Sequence, residues 1–528
     1  MKKFLSFLLV LFFGFTLVAC DQPGGNPDDG KIQVTFWHAM GQANQVLIDK
    51  MIESFEAKYP NVNVEQYSQG GYDDLLDKVK NNIKSGTAPT IAQTYPDHVT
   101  SYLTSKSAVI NLNTYLYDEE VGFDALGVDE NVYVKSFWDE SFSYDKEGSM
   151  YSLPFNKSTE VTIYNKTIFN KYDWFVTLLG LDQNEVYSEY VANEVGADGK
   201  TIYNTDKRVY NPDFIWHPTW EQFEKIGAAF KLTTEYKSLL ESGLNAAAVG
   251  YDSQSNLFIT LTQQLAAFDE NDKYGPLGQE AYTRFDESGR GEFTFLNEDN
   301  PYAKAAIKYY KEQYELQHFV TSGALGSDYC SDAFNNEQCI ITVGSSGGVT
   351  HNDKNDLFER GVATYPQWEA TPEEEYQVIQ QGTNITLFRQ KDKEVEKYGW
   401  LFMVHMISFE SSVTWSTGNS YFPIRTDVIN SQKYQDFLTG KVDVKDPETG
   451  AVTGSKYEPT IVNDGARIAW TQNEWFYTNV AFNGTDISRA KIELLVQNVL
   501  LSEEQDWDKA ISDAFATCKD ALKDYMIK

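Results

Sequence analysis

Cysteine is scarce in this chain: there are four in 528 residues, at positions 20, 330, 339 and 518. No Cys-x-x-Cys or His-Glu-x-x-His occurs, and the six histidines (His38, His98, His217, His318, His351 and His405) are scattered. That spacing excludes the usual zinc sites, and neither a metal nor a cofactor is expected. No Gly-x-x-x-x-Gly-Lys-Ser/Thr loop is present, which excludes a P-loop. Basic residues are few beside acidic ones, 44 against 77, giving a formal net charge of −33. A surface that acidic repels phosphate backbones, so nucleic acid is not an expected partner. An anionic small ligand stays open, because a few inward-facing cations can set the field of a cleft. Beyond the first 20 residues no apolar run approaches the roughly 18 residues of a membrane span.

What is present is an ordinary globular composition, 41% hydrophobic and 23% charged, in a chain long enough for two lobes. Lys2 and Lys3 precede an apolar run from Phe4 to Ala19, the pattern of a secretory signal over residues 1–19. Leu17-Val18-Ala19-Cys20 resembles a bacterial lipobox, which implies cleavage before Cys20 and a lipid on that cysteine. A plain signal peptide with an incidental cysteine is the other reading. Residues 20–30, rich in Gly, Pro, Asn and Asp, suit a flexible tether. The expected location is the extracellular face of the cell membrane, anchored through Cys20. In such a compartment Cys330 and Cys339 either close a short disulfide loop or remain free buried thiols. Cys518 shares a helical pattern with Ile511, Ala514 and Phe515 and reads as core.

Ile32, Val34 and Phe36 alternate as in a strand, and Val46 to Phe55 recur at helical spacing up to Tyr59-Pro60. Val62 and Val64 open a second strand. Leu75 to Ile83 mark a helix that ends at Gly86, and Ile91 to Tyr95 a third strand. Strand, helix, strand, helix, strand predicts a parallel sheet with its ligand at the carboxyl ends of the strands. Residues 151–156 and 161–164 read as further strands, and Ile487 to Met526 as mainly helical. Polar, turn-rich segments near 180–218 and 440–460 look like insertions.

Phe36-Trp37-His38-Ala39-Met40, Gly71-Tyr72-Asp73-Asp74-Leu75 and the run Gly86 to Tyr95 resemble the opening of solute-binding proteins of carbohydrate-type ABC importers. The likeness continues through Leu153 to Thr159, Tyr164-Asn165-Lys166, Thr219-Trp220, Cys339 to Gly347 and Tyr421-Phe422-Pro423-Ile424. Within that family it is most similar to the glycerol-3-phosphate binders. The resemblance implies an α/β fold of the two-lobe, periplasmic-binding-protein-like type II, with the ligand in an inter-lobe cleft. One lobe would hold 31–148 and 348–408, the other 149–347 and 409–528. The implied partners are a small solute (a polyol phosphate or a sugar) and the permease subunits of an ABC importer, served by a monomer.

Carried over motif by motif, the ligand residues are Tyr72, Ser158, Ser345, Gly382, Tyr421 and Arg489, with Trp220 as a cleft tryptophan. An arginine fork supplies two parallel bonds to an anion or diol, and hydroxyls complete the shell. One position departs: where the glycerol-3-phosphate binders place a hydroxyl-receiving glutamate, this chain has Pro96, and Asp97 is the nearest substitute. Glycerol-3-phosphate, a glycerophosphodiester and a sugar all remain open. Each position also has a structural reading: Arg489 as a surface charge, Tyr421 and Trp220 as core, Ser345 as a turn, Tyr72 as a helix staple.

A competing signal is Gly344-Ser345-Ser346-Gly347-Gly348, which fits the Gly-x-Ser-x-Gly elbow of a hydrolase acting on esters or glycans. Only His351 and His405 follow it. The first is too close in sequence and the second lies in an apolar helical pattern, so an enzyme is not expected.

Overall fold

The computed structural model describes residues 30–526 except 106, 270, 272, 369–374 and 448. The signal segment, Cys20 and all of the tether but Gly30 lie outside the described residues.

The chain opens as its periodicity predicts. Strands β1 (Ile32–His38), β2 (Val62–Ser68) and β3 (Ile91–Thr94) run parallel, with Val34 opposite Val64 and Phe36 opposite Ile91. Helix α1 (Gln42–Lys58) buries Leu47, Ile48, Met51, Ile52 and Phe55, one apolar stripe against the sheet. Helix α2 (Tyr72–Ser85) stops where Gly86 turns left-handed at φ 74°. Helix α3 (Pro96–Leu103) starts with a proline at its first position, where no N–H is needed.

Strand β4 (Leu153–Asn165) is the spine of the molecule. Sequence periodicity splits it in two, but it is one strand of 13 residues buried along its whole length. Further along come β5 (Val249–Tyr251), β6 (Phe319–Thr321), β7 (Ile341–Ser345), β8 (Arg360–Ala363), β9 (Val378–Leu387) and β10 (Phe476–Tyr477). The sheet runs β6-β5-β7-β4-β9-β3-β1-β2, with β8 also on β4 and β10 on β9. The first half of β4 pairs antiparallel with β9, and its second half with β7 and β8. β9 in turn pairs with β3. Two strands therefore cross between the halves of a mixed α/β fold.

Two cores flank the crossing. One gathers Val34, Phe36, Ile48, Phe55, Trp400 and Phe402; the other gathers Phe169, Trp216, Trp220, Phe258, Tyr310 and Phe515. Residues 409–429, expected with the second lobe, pack instead on the first core. Trp415 meets Phe155 at a ring distance of 4.8 Å, and Phe422, Ile424 and Ile429 follow it inward. Asn419 Nδ2 also reaches Asn44 Oδ1 at 3.4 Å, tying this segment to α1. The segment near 180–218 forms two small hairpins, and Lys441–Lys445 pairs with Val452–Tyr457 in an exposed third. The C-terminal region holds helices α6 (Thr485–Leu500) and α7 (Trp507–Leu522), following α4 (Trp220–Phe230) and α5 (Gln254–Ala266) earlier in the chain.

Candidate functional site

Alternation along β4 puts Asn156, Ser158 and Glu160 on one face of the strand. All three are buried, which a strand of polar side chains tolerates only with partners. Asn156 Oδ1 accepts from Gln93 Nε2 at 3.0 Å and from Thr383 Oγ1. That fixes the amide, yet its Nδ2 is buried without a hydrogen-bond partner among the described residues. The hydroxyls of Tyr72 and Tyr421 both come close to this amide. Ser158 Oγ accepts from Ser345 Oγ at 3.3 Å. Glu160 accepts from Asn256 Nδ2 at 3.2 Å and from the Tyr251 hydroxyl. Burial pushes the Glu160 carboxyl up to about 7, against the pull of those two donors.

Aromatic rings border this strip. Tyr72 is the first residue of α2, held there by Gly71, whose N–H donates to Asp74 Oδ2 at 3.1 Å. Its ring lies 4.9 Å from Tyr95, the residue that precedes α3. Tyr421 stacks on Trp415 at 6.0 Å and 19°. A Cβ on Gly347 would come within 2.7 Å of the Tyr421 ring, so glycine there admits the phenol. Burial raises the pKa of all three tyrosines, keeping them protonated donors.

Arg489, on α6, completes the strip. Its Nη1 donates to Asn256 Oδ1 at 2.8 Å, and its Nε lies 3.3 Å from Asp97 Oδ2. Desolvation works against its charge, but Asp97 first, then the Tyr282, Tyr477 and Tyr95 phenols, hold its pKa above the ordinary arginine value. The same two helices meet again where Ser101 Oγ donates to Asp486 Oδ2 at 2.6 Å. Thr100 Oγ1 also donates to the Phe482 carbonyl at 3.0 Å. Asp97 is thus the counter-ion of Arg489 rather than a free acceptor.

Of the sequence-derived candidates, Tyr72, Asp97, Ser158, Ser345, Tyr421 and Arg489 come together. Trp220 does not. It is 1% exposed in the second core, and its Nε1 donates to Gln264 Oε1 at 3.0 Å. Tyr251, Phe319 and Tyr310 surround its ring, which makes it a packing residue. Gly382 sits opposite Lys157 with φ 92°, and a Cβ there would lie 2.0 Å from the Asn156 carbonyl oxygen. Its role is to let the two crossing strands approach. Asn156, Tyr95, Glu160 and Asn256 are site residues that motif matching did not single out. Period-two reading of Asn156-Lys157-Ser158-Thr159-Glu160 would have found the first and third.

Cys330 and Cys339 are free and buried, so the disulfide alternative is not formed, and Cys518 is buried too. Ser346 of the elbow is 0% exposed and its Oγ accepts the Thr159 N–H at 3.3 Å. His351 lies against Tyr329 and His405 Nε2 pairs with Ser54 Oγ at 2.7 Å, so neither serves a seryl nucleophile. Among the described residues no cluster of three potential metal ligands occurs, and no helix is long and apolar enough to cross a membrane.

Residues 50–439 match the family model for bacterial extracellular solute-binding proteins, well over half of the chain. The chain belongs to that family. This solute-binding protein is 23% identical over 405 residues to the sn-glycerol-3-phosphate-binding periplasmic protein UgpB of Yersinia pseudotuberculosis, covering 77% of each chain. In fold it is similar to UgpB from Mycobacterium tuberculosis in complex with glycerophosphocholine, with TM-score 0.63 and 16% identity over 94% of this chain and 99% of that one. It is likewise similar to the GacH receptor of Streptomyces glaucescens, solved unliganded and with acarbose, with TM-score 0.62 and 16% identity over 93% and 99%. The two-lobe architecture of this solute-binding protein follows from those likenesses, and its family is one of binding proteins, not enzymes.

Proposed function

We propose that this protein captures a small polar solute between its lobes and hands it to the permease subunits of an ABC importer. The solute class is a polyol phosphate, a glycerophosphodiester or a sugar. The carrying observation is the cluster around Asn156: a fixed, buried amide facing two tyrosine hydroxyls, beside a serine pair and an arginine. Neutral donors from amide, phenol and hydroxyl groups beside one guanidinium are the set that a polar, hydroxyl-bearing solute needs. The names of the relatives, binders of glycerol-3-phosphate and glycerophosphocholine, agree. β4 and β9 form the hinge, and closure presents the loaded form to the membrane partner. One lobe holds 31–148 and 348–408 together with 409–429; the other holds 149–347 and 430–528. The protein works as a monomer held at the extracellular face by a lipid on Cys20.

Calorimetric titration with sn-glycerol-3-phosphate, glycerophosphocholine, glucose, maltose and maltotriose tests the reading. Saturable binding of one of them is expected, lost in Asn156→Leu, and silence across the set overturns it. The anchor is tested separately: Cys20→Ala should move the protein from the membrane to the soluble fraction.

A further inference from the structure

We infer that Asp252 is a ligand-binding carboxylate that receives the hydroxyls of an uncharged, polyhydroxylated solute, an inference that rests on the solute-capture reading above. Asp252 follows β5 directly. Tyr251 pairs in parallel with Val343, so Asp252 comes to lie over Gly344, beside Ser345. Carboxyl ends of parallel strands are where open sheets hold ligands. Asp252 Oδ1 accepts the Cys330 N–H at 2.6 Å, which fixes the carboxylate plane. Its Oδ2 has no hydrogen bond among the described residues, and the residue is half-buried, with burial raising its carboxyl to about 6. A Cβ on Gly344 would stand 2.3 Å from this oxygen, so the glycine leaves it accessible. Ser345 and Ser158 lie to one side, and four residues on, Asn256 links Glu160 to Arg489.

The charges point the same way. Arg489 is compensated by Asp97 at 3.3 Å, and Glu493 and Glu160 add carboxyl groups beside it, with Asp252 next to Glu160. A phosphate carries about −1.5 to −2 charge at pH 7 and would meet a cation already paired, with carboxylates beside it. Sugar hydroxyls, by contrast, donate to a carboxylate in charge-assisted bonds. The hydroxyl-receiving carboxylate that the family resemblance puts at the Pro96 position is supplied here from the opposite lobe.

The test titrates the purified protein with glucose, maltose and maltotriose against sn-glycerol-3-phosphate and glucose 6-phosphate. An uncharged sugar is expected to bind at least about tenfold more tightly than either phosphate. Asp252→Asn should weaken that sugar by about 10- to 100-fold with a melting midpoint no lower than the parent's. Gly344→Ala, whose Cβ would force Oδ2 aside while keeping the charge, should act in the same direction and covers the event that Asp252→Asn misfolds. Tighter binding of a phosphate overturns the inference while leaving solute capture standing, as does a sugar affinity that Asp252→Asn leaves unchanged. Silence in both arms overturns this inference, and solute capture falls with it only when glycerophosphocholine is silent as well.

Discussion

Asp97 and Arg489 meet at 3.3 Å, joining α3, which follows β3, to α6 of the second core. Arg489→Ala removes a charge-assisted donor and should weaken the bound solute by about 10- to 150-fold. Asp97→Asn removes the nearest counter-charge of the guanidinium. Its affinity for sn-glycerol-3-phosphate should rise about tenfold in low salt and lose that gain in high salt. Calorimetry at two ionic strengths reads both effects.

On the opposite face of β4, Lys157 forms a fully buried ion pair with Glu140 and donates to Asn384 Oδ1 at 3.2 Å. Desolvation lowers the Lys157 pKa, and Glu140 opposes it. Glu140→Ala strands the ammonium and should cost about 3–5 kcal/mol in urea unfolding. The double variant Glu140→Leu with Lys157→Met removes both charges and should recover most of that loss. A single variant as stable as the parent would show that the pair carries no such weight.

Glu160 makes stability depend on pH. Its carboxyl stands at about 7 in the fold against the ordinary 4.5, so folding favours the protonated form. That contribution is complete below pH 4.5 and is lost as pH rises through 7. Glu160→Gln should therefore gain ~3 kcal/mol relative to the parent between pH 4.5 and pH 8. Thermal melts across that range check the slope, and parallel curves would refute the assignment.

Gly382 is a fourth target. At φ 92°, with a backbone oxygen 2.0 Å from any added Cβ, no side-chain adjustment relieves an alanine. Gly382→Ala should lower stability by about 2–3 kcal/mol. Because the clashing oxygen is that of Asn156, it should weaken solute binding as well. Full affinity in a destabilised variant would separate the crossing from the site.

The opening of the fold was legible because its signals are local. Val34 and Phe36 alternate, Leu47 to Phe55 recur at helical spacing, and Gly86 and Pro96 punctuate. The length of β4 was not, since Lys157-Ser158-Thr159-Glu160 reads as a polar break. These side chains are buried only because Glu140, Ser345, Ile379 and Asn256, far off in sequence, satisfy them. The candidate site was legible where motifs name residues, as at Tyr72, Ser158, Tyr421 and Arg489. It was illegible where role depends on neighbours. Trp220 looked like a cleft ring and is core, and Asp97 looked like an acceptor and is a counter-ion. The segment 409–429 likewise follows its aromatic contacts with Phe155 rather than its place in the chain.

The 13 residues from Leu153 to Asn165 are held in common by both halves. Neither half can be cut free with its sheet intact, since any break between them takes a partner strand from one side. Expressed as separate fragments, the two halves would expose unpaired strand edges and aggregate, and would recover a native sheet only when mixed. The protein is thus built in two halves that cannot be dissected from one another.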